Sequence, residues 1–266
     1  MRAPCAQLKL QILIMTSALE VECKFLCNDY LEQRISDRSV SFSEKNFLDS
    51  YMDIPEALTL LRIDHWLRRR NGEFELKVPS VPLVDRIRLL EERKGREREE
   101  RESKPYVDSY IEIVDPTLIA SRLLSVLSLS ESSYAPVTTT DELEILVAQL
   151  GLTSFADIKT ERRSYKLFLS AAPDQLIGVD IDEVLFDDGS TYAVAEVEVM
   201  VESGFDNNGR ANLLIDQFFE EFHIVRPEKP LVGKVLEFFK RRAPYHYAVV
   251  KDGLLKLKLA GGGGGK

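Results

Sequence analysis

Five short segments of this chain place charges at alternating positions: Glu20-Val21-Glu22-Cys23-Lys24, Arg68-Arg69-Arg70, Glu75-Leu76-Lys77, Asp180-Ile181-Asp182 and Glu196-Val197-Glu198. Successive side chains of a β-strand point to opposite faces, so Glu20, Glu22 and Lys24 share one face and Val21, Cys23 and Phe25 the other. A lone E-x-E strand usually turns its charges to water. Here the opposite faces (Val21 and Phe25, Val179 and Ile181, Val197 and Val199) are apolar enough to pack beneath helices, and the carboxylate pairs recur on separate strands. With helices outside, the charged faces line an interior. Two carboxylates about 4 Å apart repel by roughly 4 kcal/mol at an effective dielectric of 20, so several pairs facing one cavity require cations. Arginine and lysine supply part of that charge. Mg²⁺, which binds through carboxylates and substrate phosphate oxygens, supplies the rest. Glu20, Glu22, Asp180, Asp182, Glu196 and Glu198 are enough for one or two such ions, and Arg68, Arg70 and Arg162 are placed to fork onto phosphate oxygens. Polyphosphate chemistry fits this pattern best.

The elements that position these charges can be read from periodicity and turn chemistry. Strands are predicted at 18–26, 40–53, 60–63, 65–70, 73–78, 106–114, 153–161, 163–171, 175–185 and 191–202. Asn71-Gly72 is a strong hairpin signal. Helices are predicted from Asn28, from Asp115-Pro116 (an N-cap followed by a first-turn proline) and from the capping box Thr139-x-x-Glu142, the last stopped by Gly151. Two more follow at 208–223 and 230–242, and Asp85 to Leu90 reads as a helical turn or two. Short connections between many strands predict an α+β fold: a closed antiparallel barrel with helices packed outside. Residues 1–17 read as an extension, 18–248 as the domain and 249–266 as a flexible tail. The mixed-charge run Glu91–Glu102 lies in an insertion at about 79–105.

Composition narrows the function. The chain has 266 residues and a formal net charge of −9, which argues against a nucleic-acid binder. Three cysteines without CxxC spacing point to neither a disulfide framework nor a zinc site. Leu8–Met15 is too short and too polar for a targeting core, and no run is long enough to span a bilayer. A cytoplasmic monomer acting on a small-molecule polyphosphate, with no nucleic-acid or membrane partner, is expected.

Glu20-x-Glu22-x-Lys24 resembles the E-x-E-x-K signature of the CYTH superfamily, the triphosphate tunnel metalloenzymes. Tyr51-Met52-Asp53-Ile54-Pro55 resembles its Y-x-D-x-P segment. Asp64-His65-Trp66-Leu67-Arg68-Arg69-Arg70 with Glu75-Leu76-Lys77 is similar to the thiamine-triphosphatase branch of that superfamily. Glu112, Arg162, the Asp180/Asp182 and Glu196/Glu198 pairs and Lys234 follow in the family's order. The resemblance implies an eight-stranded tunnel that hydrolyses the terminal phosphate of a triphosphate with Mg²⁺ or Mn²⁺. Glu20 and Glu22, with Glu198 and Asp180 or Asp182, would bind metal, with Glu112 and Glu196 positioning the bases or a second ion. Lys24, Arg68, Arg70, Arg162 and Lys234 would clamp the triphosphate, and Trp66 would meet its organic end. A Tyr51–Lys77 pair would assist catalysis, with Lys77 lowered in pKa by neighbouring cations or holding a Tyr51 phenolate. Inorganic tripolyphosphate hydrolysis, nucleotide cyclisation and non-catalytic polyphosphate binding are the alternatives.

Overall fold

The computed structural model describes residues 18–80, 108–202, 205–225 and 231–259, with the backbone alone at 18, 205–208 and 252–259. The extension through residue 17, the helical turn at Asp85–Leu90, the charged run Glu91–Glu102 and the Gly261–Gly265 run lie outside the described residues.

Strands β1 (Ala18–Phe25), β2 (Ser41–Asp53), β3 (Trp66–Arg70), β4 (Glu73–Pro79), β5 (Asp108–Ile113), β6 (Thr153–Leu169), β7 (Ala172–Leu185) and β8 (Thr191–Glu202) form one sheet. Its order, β1-β5-β4-β3-β2-β6-β7-β8, returns to β1 and closes the sheet into a ring. Every pairing is antiparallel. Helices are α1 (Asp29–Arg38), α2 (Pro116–Val126), α3 (Thr140–Gln149), α4 (Phe205–Glu221), α5 (Lys234–Arg242) and α6 (Pro244–Leu259).

Local chemistry explains the boundaries. Asn28 caps α1 by accepting from the Leu31 amide at 2.9 Å, and Asp115 caps α2 by accepting from that of Leu118 at 3.0 Å. Thr139 and Glu142 complete the capping box of α3. Asn71 and Gly72 both have positive φ, 48° and 101°, as the primed turn between β3 and β4 requires. The expected strand at 60–63 is instead a 3₁₀ turn over Leu61–Ile63. The buried Asp53 carboxylate gathers the amides of Leu60 and Leu61 at 3.0 and 2.9 Å and winds that segment up. The two strands expected at 153–161 and 163–171 are one continuous strand, paired with β2 on one side and β7 on the other. Residues 249–259, assigned from sequence to the tail, continue α6. Tyr245 is exposed.

The outward faces of the strands form the main core. Val21, Phe25, Leu76, Ile111, Val179 and Val197 pack with Ile119 and Leu123 of α2, Leu143 and Leu146 of α3, and Ile215 and Phe218 of α4. Burying each such side chain stabilises the fold by about 1.5–3 kcal/mol. The ring's inner face changes character along its strands. Ala156 and Ile158 of β6 and Val184 of β7 cluster with Val235 and Phe239 of α5 and Val250 of α6. Beyond this apolar layer the same faces carry Thr160, Arg162, Asp182 and Asp180. Among the described residues, no helix is long and apolar enough to cross a membrane.

Candidate active site

The charges inside the ring form a continuous circuit. Lys24 lies between Glu22 and Glu196, at 2.5 and 3.1 Å. Glu196 stands beside Asp180 in the β7–β8 ladder. Arg162 bonds Asp180 and forks onto Asp182 at 2.5 and 2.7 Å. Lys234, the first residue of α5, reaches Asp182 at 3.7 Å and Asp49 at 2.8 Å. Asp49 takes a two-pronged contact from Arg70, at 2.7 and 2.9 Å. Arg68 bonds Glu75 and lies 3.5 Å from Glu112. Lys77 returns the circuit to β1, with Glu22 at 2.6 Å and Glu20 at 3.1 Å. Glu198 stands opposite Glu22 in the β1–β8 ladder. The acidic and basic stripes thus face one another across a shared interior.

Phe47 forms an apolar floor beneath part of this circuit. The Arg70 guanidinium lies 3.9 Å from its ring centroid, the Lys234 ammonium 4.7 Å and the Arg162 guanidinium 5.5 Å. The ring's negative face attracts all three, which offsets part of the repulsion among them.

Burial and mutual charge divide the carboxylates into two kinds. Burial alone would raise Glu22, but Lys24 and Lys77 hold it well below the ordinary carboxylate range. Asp49 is likewise held low, against burial, by Arg70, Lys234 and Arg68. Glu20 is pushed up to about 7 by burial, against Lys77 and with help from Glu22 and Glu112. Glu198 is driven well above its ordinary value by burial, Asp180, Glu20 and Glu196.

The raised Glu20 has a consequence for stability. A carboxyl whose folded pKa lies above its unfolded value favours folding while protonated. That contribution is complete below the unfolded value of about 4 and is lost as pH rises through about 7. In metal-free protein the melting temperature is therefore expected to fall between about pH 5 and pH 8, and Glu20→Gln should flatten the fall. Equal profiles for the two proteins in a calorimetric pH series would contradict the assignment.

Most of the residues selected from sequence share this interior, but two differ from expectation. Tyr51 is buried in the apolar layer with Leu58 and Leu61 and stands opposite Arg68 in the β2–β3 ladder. Lys77 stands opposite Trp66, and no hydrogen bond joins it to Tyr51 among the described residues. Nor is the Lys77 ammonium lowered. Burial pulls its pKa down, but Glu22, Glu20 and Glu196 outweigh burial and Lys24 and hold it well above the ordinary lysine value. Glu112 is more exposed than the other acids and lies 3.5 Å from Arg68. Trp66 is half-buried, its indole N–H donating to Asp64 at 3.0 Å. His65 is buried, with Nδ1 on the Ile63 carbonyl at 2.9 Å and the Arg122 guanidinium on Nε2.

Sequence reasoning passed over Asp49 and Phe47. Both share strand parity with Tyr51 and Asp53, and that period of two was the available signal. The flanking stretch Ser41–Asn46 is exposed on both faces, and its polar residues blur the alternation.

Comparison with known proteins agrees with this geometry. The model of the CYTH domain matches residues 18–227, from β1 through α4. The chain belongs to the CYTH family. This CYTH chain is 32% identical over 187 residues to the thiamine-triphosphatase of Homo sapiens, covering 69% of this chain and 68% of the relative. It is 31% identical over 185 residues to the thiamine-triphosphatase of Macaca fascicularis, with coverages of 69% and 68%. Among solved structures it is similar, at a TM-score of 0.42 and 13% identity, to a candidate adenylyl cyclase, HpAC1 from Hippeastrum, that reveals a dominant triphosphatase activity. That alignment covers 85% of this chain and 98% of the other, a likeness too distant to inform function.

The CYTH interior can be tested for a metal on its own chemistry. Among the described residues, no three His, Cys, Asp or Glu side chains are gathered as a ready metal cage. The acids named above nevertheless outnumber the bases, and burial together with neighbouring carboxylates raises Glu20 and Glu198 against the pull of Lys77 and Arg162. Hard carboxylate oxygens suit Mg²⁺ or Mn²⁺. The donor set therefore fits a divalent ion at Glu20 and Glu198, with Glu22 beside them.

Proposed function

We propose that this protein is a divalent-metal-dependent hydrolase that removes the terminal phosphate of thiamine triphosphate, acting in a reducing, cytoplasmic setting. The observation that carries this reading is the closed interior circuit, in which forked arginines alternate with buried carboxylates. A triphosphate placed there meets Arg68, Arg70, Arg162, Lys234 and Lys24 as its clamp. These cations are already oriented by Asp49, Asp182 and Glu196, so little reorganisation accompanies binding. Phosphoryl transfer depends mainly on such positioning and charge neutralisation, and no covalent nucleophile is required.

Glu20 and Glu198, with Glu22 beside them, would hold the metal. When bound, the ion supplies positive charge at the phosphoryl oxygens and activates water. Lys77 retains its proton and acts as a cation within this set. Tyr51, in its apolar layer, supports Arg68 from the neighbouring strand.

Trp66 distinguishes the ester from inorganic tripolyphosphate. Its side chain shares the face of Arg68 and Arg70 on β3, so its ring is available to a cationic thiazolium. A cation–π contact contributes about 0.5–2 kcal/mol. Trp66→Ala is expected to raise KM for thiamine triphosphate about tenfold and to leave tripolyphosphate little affected. Phosphate release measured on thiamine triphosphate, tripolyphosphate and ATP, each with Mg²⁺ and Mn²⁺, tests the whole reading. Preferred turnover of tripolyphosphate would move the assignment to the inorganic substrate. Cyclic nucleotide from ATP would move it to cyclase chemistry, and tight binding with no metal-dependent release would leave a polyphosphate-binding protein.

A further inference from the structure

Asp64 occupies a left-handed backbone position, φ 63°, between the 3₁₀ turn and β3. Only small polar residues and glycine adopt this region readily. The turn directs a buried carboxylate at two aromatic residues. Asp64 Oδ1 accepts from the Trp66 indole N–H at 3.0 Å and from the Tyr110 hydroxyl at 3.1 Å. These residues come from different strands, β3 and β5, which β4 separates. Tyr110 in turn lies beneath the Lys77 ammonium, 4.8 Å from the ring centroid. Burial and the adjacent Asp64 push the Tyr110 phenol up, so it keeps the proton it donates. One carboxylate oxygen thus ties both aromatic rings to the acid-bound lysine of the circuit.

We propose that Asp64 is the positioning residue that sets the preference of the site for an organic triphosphate ester, an inference that rests on the function proposed above. Holding the indole N–H fixes the rotation of Trp66, so its ring presents one face to the ligand's cationic ring. Holding the Tyr110 hydroxyl fixes the second aromatic and the Lys77 ammonium above it. Without Asp64 the indole turns freely, and part of the contact with the organic group is lost before binding. Among the described residues, the ion pairs of the triphosphate clamp at Arg70, Arg162 and Lys234 run to Asp49, Asp180 and Asp182.

Trp66 is the only tryptophan in the chain, so intrinsic fluorescence reports its position directly. Asp64→Ala removes the acceptor, Asp64→Gly removes it without strain at the left-handed position, and Asp64→Asn keeps an amide oxygen in place. The alanine and glycine variants are expected to shift tryptophan emission to the red and to increase acrylamide quenching. They should raise KM for thiamine triphosphate about fivefold more than KM for tripolyphosphate. Asp64→Asn should restore both the emission and the KM ratio. Unchanged emission and quenching in both the alanine and glycine variants would overturn the tether. An equal rise in KM for the two substrates would overturn the specificity role. Wild-type protein that shows no preference for the ester, and no change of ratio in Trp66→Ala, would bring down the substrate reading and the specificity role with it. The fluorescence result separates that failure from failure of the tether.

Discussion

Arg162→Ala is expected to lower kcat/KM for the triphosphate by about a thousandfold, the low end of what an arginine contributes to phosphoryl transfer. Arg162 forks onto Asp182 and also bonds Asp180, so it meets a phosphate with a guanidinium already fixed in place. Its removal acts twice. A donor pair for phosphate oxygens disappears, and two buried aspartates face the incoming anion without their partner. Arg162→Lys restores charge but not the planar fork and should recover only a small part of the loss. Steady-state kinetics, with circular dichroism to verify the fold, checks this. Activity of the alanine variant within tenfold of wild type would remove Arg162 from the clamp.

The second large effect is on stability. Asp49 is fully buried and is paired with Arg70 and Lys234. Removing one member of a buried ion pair leaves an uncompensated charge and typically costs about 3–5 kcal/mol. Asp49→Ala is expected to lose that much in urea unfolding, and activity should fall because Arg70 and Lys234 lose their anchor. Asp49→Asn keeps the volume and should be milder in packing but similar in activity. The sign with pH follows from the depressed carboxyl. The stabilisation is present above the ordinary carboxylate pKa and is lost as pH falls through the lower folded value. The mutant and wild-type stabilities should therefore converge in strong acid. An unfolding midpoint unchanged in Asp49→Ala would show that the ion pairs around it contribute nothing net.

The two effects differ because Arg162 and Asp49 occupy opposite roles in one circuit. Arg162 has carboxylates on its protein side and offers the remainder of its fork to a ligand. Among the described residues Asp49 pairs with Arg70, Lys234 and Arg68, and its loss disturbs the site from beneath. Phe47 belongs with Asp49: it lies against Arg70 and Lys234, two of the cations that Asp49 pairs with, and offers a ligand nothing polar.

Much of the site was legible in the sequence because strand alternation is strictly local. Glu20, Glu22 and Lys24 must share a face once β1 is extended, and the same holds for Arg68 with Arg70, Asp180 with Asp182, and Glu196 with Glu198. The caps at Asp115 and Thr139 and the Asn71-Gly72 turn were legible for the same reason, since each is a side chain or backbone φ acting within a few residues. Apolar opposite faces further indicated that the charges turn inward.

The tertiary structure alone decided which charges meet. Lys77 was expected to have a pKa lowered by neighbouring cations or to hold a Tyr51 phenolate, but pairing of β1, β4 and β5 sets it among Glu20, Glu22 and Tyr110, where its charge is held. Parity cannot reveal this, because neighbours across a closed ring are set by register and strand order. Asp49 and Phe47 went unrecognised for the same reason, as their importance lies in what Arg70 and Lys234 bring to them from other elements. Local spacing determined which face of each strand is charged. Closure of the sheet determined which acid neutralises which base, and therefore which carboxylates are left wanting a cation.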